Sequence, residues 1–302
     1  MGECIELKAP KTFEEQLKIL KSRKMIIEDE DKALEILRRT NYYRITAYAL
    51  QCKVNNEYQN ISFNKMYKLY EFDKRLRHLI LGVLEDIEIS LRTYMAYNLS
   101  LKYGAEAYKC EEIFKNIDLL NGYYDEDGKR HNGLIDEINS EKRKNRNEPF
   151  VKHHMKIYDG KFPIWAVVEI FSFGMLSKMY KNLVVAEQKA ISKGCFGINN
   201  QLLESWLDTL SYIRNSCAHY GRLYNKKLPR IPKIHTKYNK FKDELKINRL
   251  FVAILAIKEI LKSINKYEAF KISLKELINE YIDVIDLEIL GFSKNWEEIL
   301  EI

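Results

Sequence analysis

Three residues in this chain of 302 could act together on a phosphate ester: Arg214, Asn215 and His219, in the string Arg-Asn-Ser-Cys-Ala-His. An imidazole gives or takes a proton near neutral pH. A guanidinium stabilises the negative charge that builds on phosphorus. A neighbouring amide can hold a non-bridging oxygen or fix the imidazole. These groups suit metal-independent cleavage of RNA, in which a ribose 2′-hydroxyl attacks the adjacent phosphate. No paired acids at metal-ligand spacing accompany them, so the expected cofactor and metal content is none.

The residues must be positioned by a helix. The pattern predicts one from about Asn200 to Tyr220, with Gly221 as its C-terminal cap. Leu203, Trp206, Leu207, Leu210, Ile213 and Cys217 form its apolar stripe, while Asn215, His219 and Arg222 share a polar face. Arg214 projects about 140° from His219, close to the apolar stripe. On a straight helix the two cannot pinch one phosphate. Either Arg214 reaches round, or the helix is distorted, or another helix or a second copy completes the site. An Arg so placed is most often half of an ion pair; Asp73, near the apolar side of its own helix, is a candidate partner. Spacing alone does not separate this string from the many structural histidines that follow an Arg by chance.

The surrounding elements also read as helices. With 12 Gly and 5 Pro the chain turns sharply in few places, and the expected class is all-α. Thr12 and Glu15 form a capping box for a first helix, and a second covers Glu30 to Arg39. Residues 53–61 read as a polar loop. Ser62 opens the longest pattern, with Leu69, Phe72, Leu76, Ile80, Val83, Ile87, Leu91 and Tyr94 on one stripe and Gly82 as a possible bend. On that helix Glu85, Glu88 and Arg92 share a face, which reads first as a surface ion-pair ladder and second as support for the site. Residues 117–133, with three glycines and Asp125-Glu126-Asp127, read as a flexible connection. Pro163-Ile164-Trp165 opens a helix carrying Val168, Phe171, Met175 and Met179. Further helices are expected at about 244–266 and 273–285, the latter with Ser273 and Glu276 as a capping box. The domain expectation is an N-terminal half over 1–120, a motif-bearing half over 134–228 and an extension over 243–302, which could pack as one body.

Charge is segregated along the chain. The net charge is +7, and residues 222–242 hold eight Lys or Arg and no acid. Within that run Arg222, Lys226, Lys227, Arg230 and Lys233, interleaved with Tyr224, Tyr238 and Phe241, suit single-stranded RNA. Taken alone, such a run reads equally as a solvated loop. His153 and His154, beside Lys152 and Lys156, could touch phosphate, but adjacent helical residues point apart and disfavour a shared metal. The five cysteines (Cys4, Cys52, Cys110, Cys195, Cys217) are scattered and never in Cys-x-x-Cys spacing, which argues against a disulfide framework or zinc site. The first residues, with Glu3 and Glu6, show no apolar signal segment, and no run is apolar over the ~20 residues that cross a bilayer. A cytoplasmic protein without membrane contact is the expectation.

The string Tyr212 to Asn225 resembles the Arg-Asn-x-x-Ala-His motif of abortive-infection proteins of the AbiD/AbiF type, in the HEPN superfamily of helical RNA-cleaving domains. Further blocks follow the same pattern in order: Asn41-Tyr42-Tyr43-Arg44 with Tyr48; Leu69 to Arg77; Ile87 to Arg92; Pro163-Ile164-Trp165 with Glu169 and Ser172-Phe173-Gly174; and Ser205-Trp206-Leu207. Together they cover about residues 8–228. The resemblance implies a HEPN-like helical bundle with additional helices at both ends. It implies Arg214 and His219 as catalytic residues with Asn215 in support, and a site completed by a second motif, hence a homodimer. It also implies a phage-defence toxin, restrained by an RNA or protein antitoxin. Tyr220-Gly221 departs from relatives that often carry a second His there. Asp73, Glu88 and Arg92 are the candidates for supporting or purely structural roles. The competing expectation is a non-catalytic RNA-binding or assembly module. A transferase lacks support, since no Gly-rich phosphate loop is present.

Overall fold

The computed structural model describes residue 7 and residues 9–302. Cys4, Glu3 and Glu6 therefore lie outside the described residues. The class is all-α, with two short hairpins among the helices of the described residues. The chain forms two compact units. One comprises the described residues up to Leu76 together with Lys275–Asp286, and the other Arg77–Leu274 with Leu287–Ile302.

In the first unit, α1 (Phe13–Ser22) starts at the expected capping box. Thr12 Oγ1 accepts from the Glu15 amide at 3.2 Å and Glu15 returns the bond to the Thr12 amide at 2.8 Å. It packs on α2 (Glu30–Arg39), and the pair buries Leu17, Leu20, Ala33 and Leu37. A short α3 (Tyr42–Thr46) is capped by Asn41. The expected loop 53–61 instead contains a hairpin, Lys53–Val54 against Glu57–Tyr58. Asn55 and Asn56 both take left-handed backbone, with φ of 47° and 68°, which is what a two-residue hairpin turn demands.

The long helix α4 (Phe63–Tyr103) begins in the first unit and continues in the second, without a break at Gly82. Its buried stripe runs through Leu69, Phe72, Leu76, Ile80, Leu84, Ile87, Leu91, Met95 and Leu99. Leu84 and Met95 are buried in place of the expected Val83 and Tyr94, each one residue before, and those two are half-buried.

The second unit holds most of the remaining helices. Residues 117–133, expected as a flexible connection, are built structure: α5 (Ile117–Asn121) and a hairpin pairing Tyr123–Tyr124 with Arg130–His131. Asp125 organises the turn, accepting from the Lys129 amide at 2.8 Å and pairing with His131 at 2.7 Å. Then come α6 (Leu134–Lys144) and α7 (Pro149–Ile157), the latter with Pro at its start. The single helix expected after Pro163 is divided into α8 (Ile164–Val167), a tight turn Val168–Ile170, and α9 (Phe173–Asn182). Ser172 forces the restart: its side chain caps α9 by accepting from the Met175 amide at 3.2 Å, which leaves Phe171 extended.

α10 (Val185–Phe196) and α11 (Asn200–Ala218) follow, and α11 packs against α9, α10 and α12 (Leu250–Ser263). α12 is apolar on nearly every side, and Phe251 to Ile257 are all buried, marking it as a central helix. α13 (Tyr267–Glu280), whose residues from Lys275 on belong to the first unit, starts earlier than expected, so Ser273 lies inside it instead of capping it. Among the described residues no helix is long and apolar enough to cross a membrane.

Candidate active site

α11 has the predicted stripe: Leu203, Trp206, Leu207, Leu210, Ile213 and Cys217 are buried. Its C-terminal end departs from expectation by one residue. His219 is the cap, and Tyr220, not Gly221, takes the left-handed conformation, with φ of 59°. The Tyr220 amide donates to Cys217 O at 3.1 Å and the Gly221 amide to Ser216 O at 2.6 Å, the two bonds of a Schellman turn. Gly221 serves the close approach instead: a Cβ there would meet Ser216 O at 3.0 Å.

Arg214 is held by a carboxylate from α4. Its Nε lies 3.4 Å from Glu88 Oε2. The other oxygen, Oε1, accepts from Arg92 Nη2 at 2.8 Å. One carboxylate thus serves two guanidiniums, at 7% residue exposure. Burial pushes the Glu88 carboxyl above its usual range, against the pull of Arg214 and Arg92, and nearby Glu85 adds to the rise. Arg92 is fixed in turn by Phe171 O at 2.8 Å and Glu169 at 3.4 Å. The Phe171 carbonyl lies at the break between α8 and α9, so that break and the placement of Arg92 are linked. Glu88 and Arg92 are therefore no surface ladder. Only Glu85 is exposed.

Asp73 was the expected partner of Arg214; in its own unit it is fully buried and accepts from the Tyr48 hydroxyl at 2.6 Å, and the carboxylate beside Arg214 is Glu88. The signal available in the sequence was the position of Glu88 and Arg92, one residue after Ile87 and Leu91 of the buried stripe. Charges so close to a core require partners.

His219 and Asn215 are exposed, and neither side chain finds a hydrogen-bond partner among the described residues. Arg214 keeps 34% of its side chain exposed. All three groups are open to a ligand. α11 stays helical up to Ala218, so no distortion swings Arg214 and His219 onto one side.

The basic run does not drift in solvent. It folds back along α11 in the opposite direction. Lys226 Nζ reaches Ser216 Oγ at 3.4 Å and stands 4.9 Å from the Tyr212 ring centre. Thr209 donates to Arg230 O at 3.3 Å, and Trp206 Nε1 to Lys233 O at 2.7 Å. The Lys233 amide completes the strap on Ser205 Oγ at 2.9 Å. Arg230 is partly neutralised by Asp208 at 2.8 Å, whereas Lys227 and Lys233 are exposed. Arg222 is half-buried and engaged within the fold.

His153 and His154 lie on α7, in edge-to-face contact at 5.5 Å. His154 is stacked on Phe162 and bonded to Phe150 O through Nδ1 at 2.9 Å. Among the described residues no three His, Cys, Asp or Glu side chains are grouped to hold a metal ion.

Residues 35–225 match the family model described as Abi-like protein, a span that contains α4, α11 and both Glu88 and His219. No curated protein and no solved structure matches the chain.

Proposed function

The chain belongs to the Abi-like protein family, and on that premise we propose that it is a HEPN-type endoribonuclease of the AbiD/AbiF kind, acting as a toxin in abortive infection. The observation that carries the reading is the state of the two key groups. The His219 side chain is exposed at the end of α11 with no hydrogen-bond partner among the described residues, and Arg214, two-thirds covered, is oriented by a buried carboxylate while keeping a face to solvent. Arg214 has an internal partner in Glu88, but the His219 side chain has none among the described residues, and both groups keep access to solvent.

In this mechanism His219 moves the proton of the attacking 2′-hydroxyl or the leaving oxygen. Arg214 stabilises the charge on the phosphorane-like transition state through its outward N–H groups, while Glu88 fixes its plane. Asn215, one residue along from Arg214, orients a non-bridging oxygen or the imidazole. The lysines of the strap, Lys226, Lys227 and Lys233, supply phosphate contacts beside the site. Because Arg214 and His219 leave α11 in different directions, each site takes one group from each of two chains. The active form is a homodimer, restrained in the resting cell by an RNA or protein antitoxin.

The test is cleavage of single-stranded RNA by the purified chain in EDTA. His219→Ala is expected to abolish it while leaving the thermal transition unchanged. Cleavage that survives His219→Ala refutes the assignment. Salt-dependent RNA binding that never leads to cleavage would establish the non-catalytic binding module instead.

A further inference from the structure

In the second unit, α7 and the start of α8 enclose a cleft of about 720 Å³ that the mechanism above does not use. Its walls are aromatic: His153, His154, Tyr158, Phe162 and Trp165. The inner rings are already packed together, with His154 stacked on Phe162 at 4.8 Å and tilted over Tyr158 at 5.3 Å. Trp165 differs from them. It is 55% exposed, and its indole has neither a ring contact nor a hydrogen-bond partner among the described residues.

The surrounding charge is basic. Lys161 lines the cleft and is exposed, with no carboxylate partner among the described residues; Lys152 and Lys156, elsewhere on α7, are also exposed and unpaired with acids there. Lys142 sits 4.4 Å from the Phe162 ring centre. Of the two acids on the cleft wall, Glu106 is paired with Lys109, which leaves Asp159 alone against these cations. A planar apolar ring carrying a negative tail satisfies both features, and an apolar peptide side chain satisfies only one. The base and phosphate of a single-stranded nucleotide have that combination.

The cleft is also tied to Arg214. Trp165 and Glu169 stand one helical turn apart, Glu169 pairs with Arg92 at 3.4 Å, and Arg92 shares Glu88 with Arg214. We propose that this cleft is a nucleobase-binding subsite, in which Trp165 stacks an unpaired base a few nucleotides from the bond being cut and Lys161 and its neighbours contact the phosphates. The subsite rests on the ribonuclease reading for its purpose, but not for its detection. It gives the enzyme a preference for unpaired RNA over duplex, because a base held in a helix cannot enter.

The experiment uses the full chain carrying His219→Ala, with a single-stranded oligoribonucleotide of about six nucleotides as probe. Of the three tryptophans, Trp206 is buried and Trp296 half-buried, and the part of the emission that Trp165→Phe removes reports the cleft. Titration is expected to quench it. Trp165→Ala in the same background weakens binding roughly 10-fold, and Trp165→Phe retains most of the affinity. A base-free ribose-phosphate oligomer leaves the emission unchanged. If RNA binds without quenching, or if Trp165→Ala binds as well as its parent, the subsite is refuted. The two claims fail separately. Quenching in a chain whose wild type never cuts sinks the nuclease and keeps the subsite. Cleavage with the same KM in wild type and Trp165→Ala, on long and dinucleotide substrates alike, sinks the subsite and keeps the nuclease.

Discussion

Replacing Glu88 with Gln separates what holds the fold from what serves the site. The carboxyl is buried and its pKa is raised, so burial outweighs the two arginines. The sign follows from linkage. An acid whose folded pKa lies above its unfolded value binds its proton more tightly in the native state. Stability is therefore lost as pH rises from the ordinary carboxyl range through the folded pKa, each unit of separation being worth about 1.4 kcal/mol. Glu88→Gln mimics the protonated form and keeps an acceptor for Arg92. Removing one partner of a buried ion pair is ordinarily costly, but here burial outweighs both arginines, so the neutral side chain is the one the fold favours. The expected gain is about 1 kcal/mol at pH 7, vanishing below the usual carboxylate range, where both proteins carry a neutral side chain. Glu88→Ala, which removes the acceptor, is expected to cost about 3 kcal/mol. Urea denaturation at several pH values measures both. Cleavage moves the other way: with Arg214 no longer anchored, kcat is expected to fall at least ~10-fold. A Gln variant less stable than wild type at pH 7 refutes the burial argument. A Gln variant with unchanged cleavage refutes the orienting role of Glu88.

Other perturbations test the surrounding structure. Tyr220→Gly is expected to raise stability by about 1 kcal/mol, since a tyrosine pays for left-handed backbone that glycine adopts freely; a fall in Tm would show that the Tyr220 side chain has a compensating role. Gly133→Ala places a Cβ 2.3 Å from Gly122 N and 2.4 Å from Leu120 O. It is expected to cost at least ~2 kcal/mol, as overpacking against backbone does, whereas a flexible connection would tolerate it. Lys258 is buried in α12 with its amine on Ile299 O at 2.7 Å, and burial brings its pKa down to about 7. A base with a depressed folded pKa costs stability as pH falls from its unfolded value near 10.4. Lys258→Met is therefore expected to stabilise the protein at neutral pH, with a gain that shrinks as pH rises towards 10, seen as converging denaturation midpoints.

The parts of the fold that were legible depended on local physics. The capping box at Thr12, the bounds of α2 and the stripe of α11 follow from side chains acting within a few residues of themselves, and all three stand where the pattern put them. Composition misled where polar residues organise structure instead of meeting water. Asp125 reads as loop material yet pins a hairpin through its own turn, and Asn55-Asn56 does the same in the first unit. The break at Ser172 was hidden because Val168, Phe171, Met175 and Met179 keep helical spacing across it. For the site, Arg214 stands out from helical spacing as a misfit, a charge beside the apolar stripe, with Asp73 its expected partner, and finding Glu88 there required tertiary structure. Each lies beside a buried stripe of the same helix. Only the fold gives Asp73 to Tyr48 and brings Glu88 to α11.

That misfit also makes the oligomeric claim testable. α11 is helical through Ala218 and Arg214 is committed to Glu88, so the roughly 140° between Arg214 and His219 is not relieved within the chain. If each site draws Arg214 from one chain and His219 from its partner, two inactive variants should rescue each other. In a dimer of Arg214→Ala with His219→Ala, one site lacks both groups and the other has both. Random exchange at equal concentrations makes about half of the dimers mixed, so about a quarter of wild-type activity is expected to return. Each variant alone remains inactive, and rescue requires time for subunits to exchange. If Arg214 and His219 act within one chain, no mixture recovers anything. Failure of rescue under conditions where mixed dimers are demonstrably present would return Arg214 and His219 to a single chain, and the helix geometry would then require a rearrangement of α11 on binding RNA.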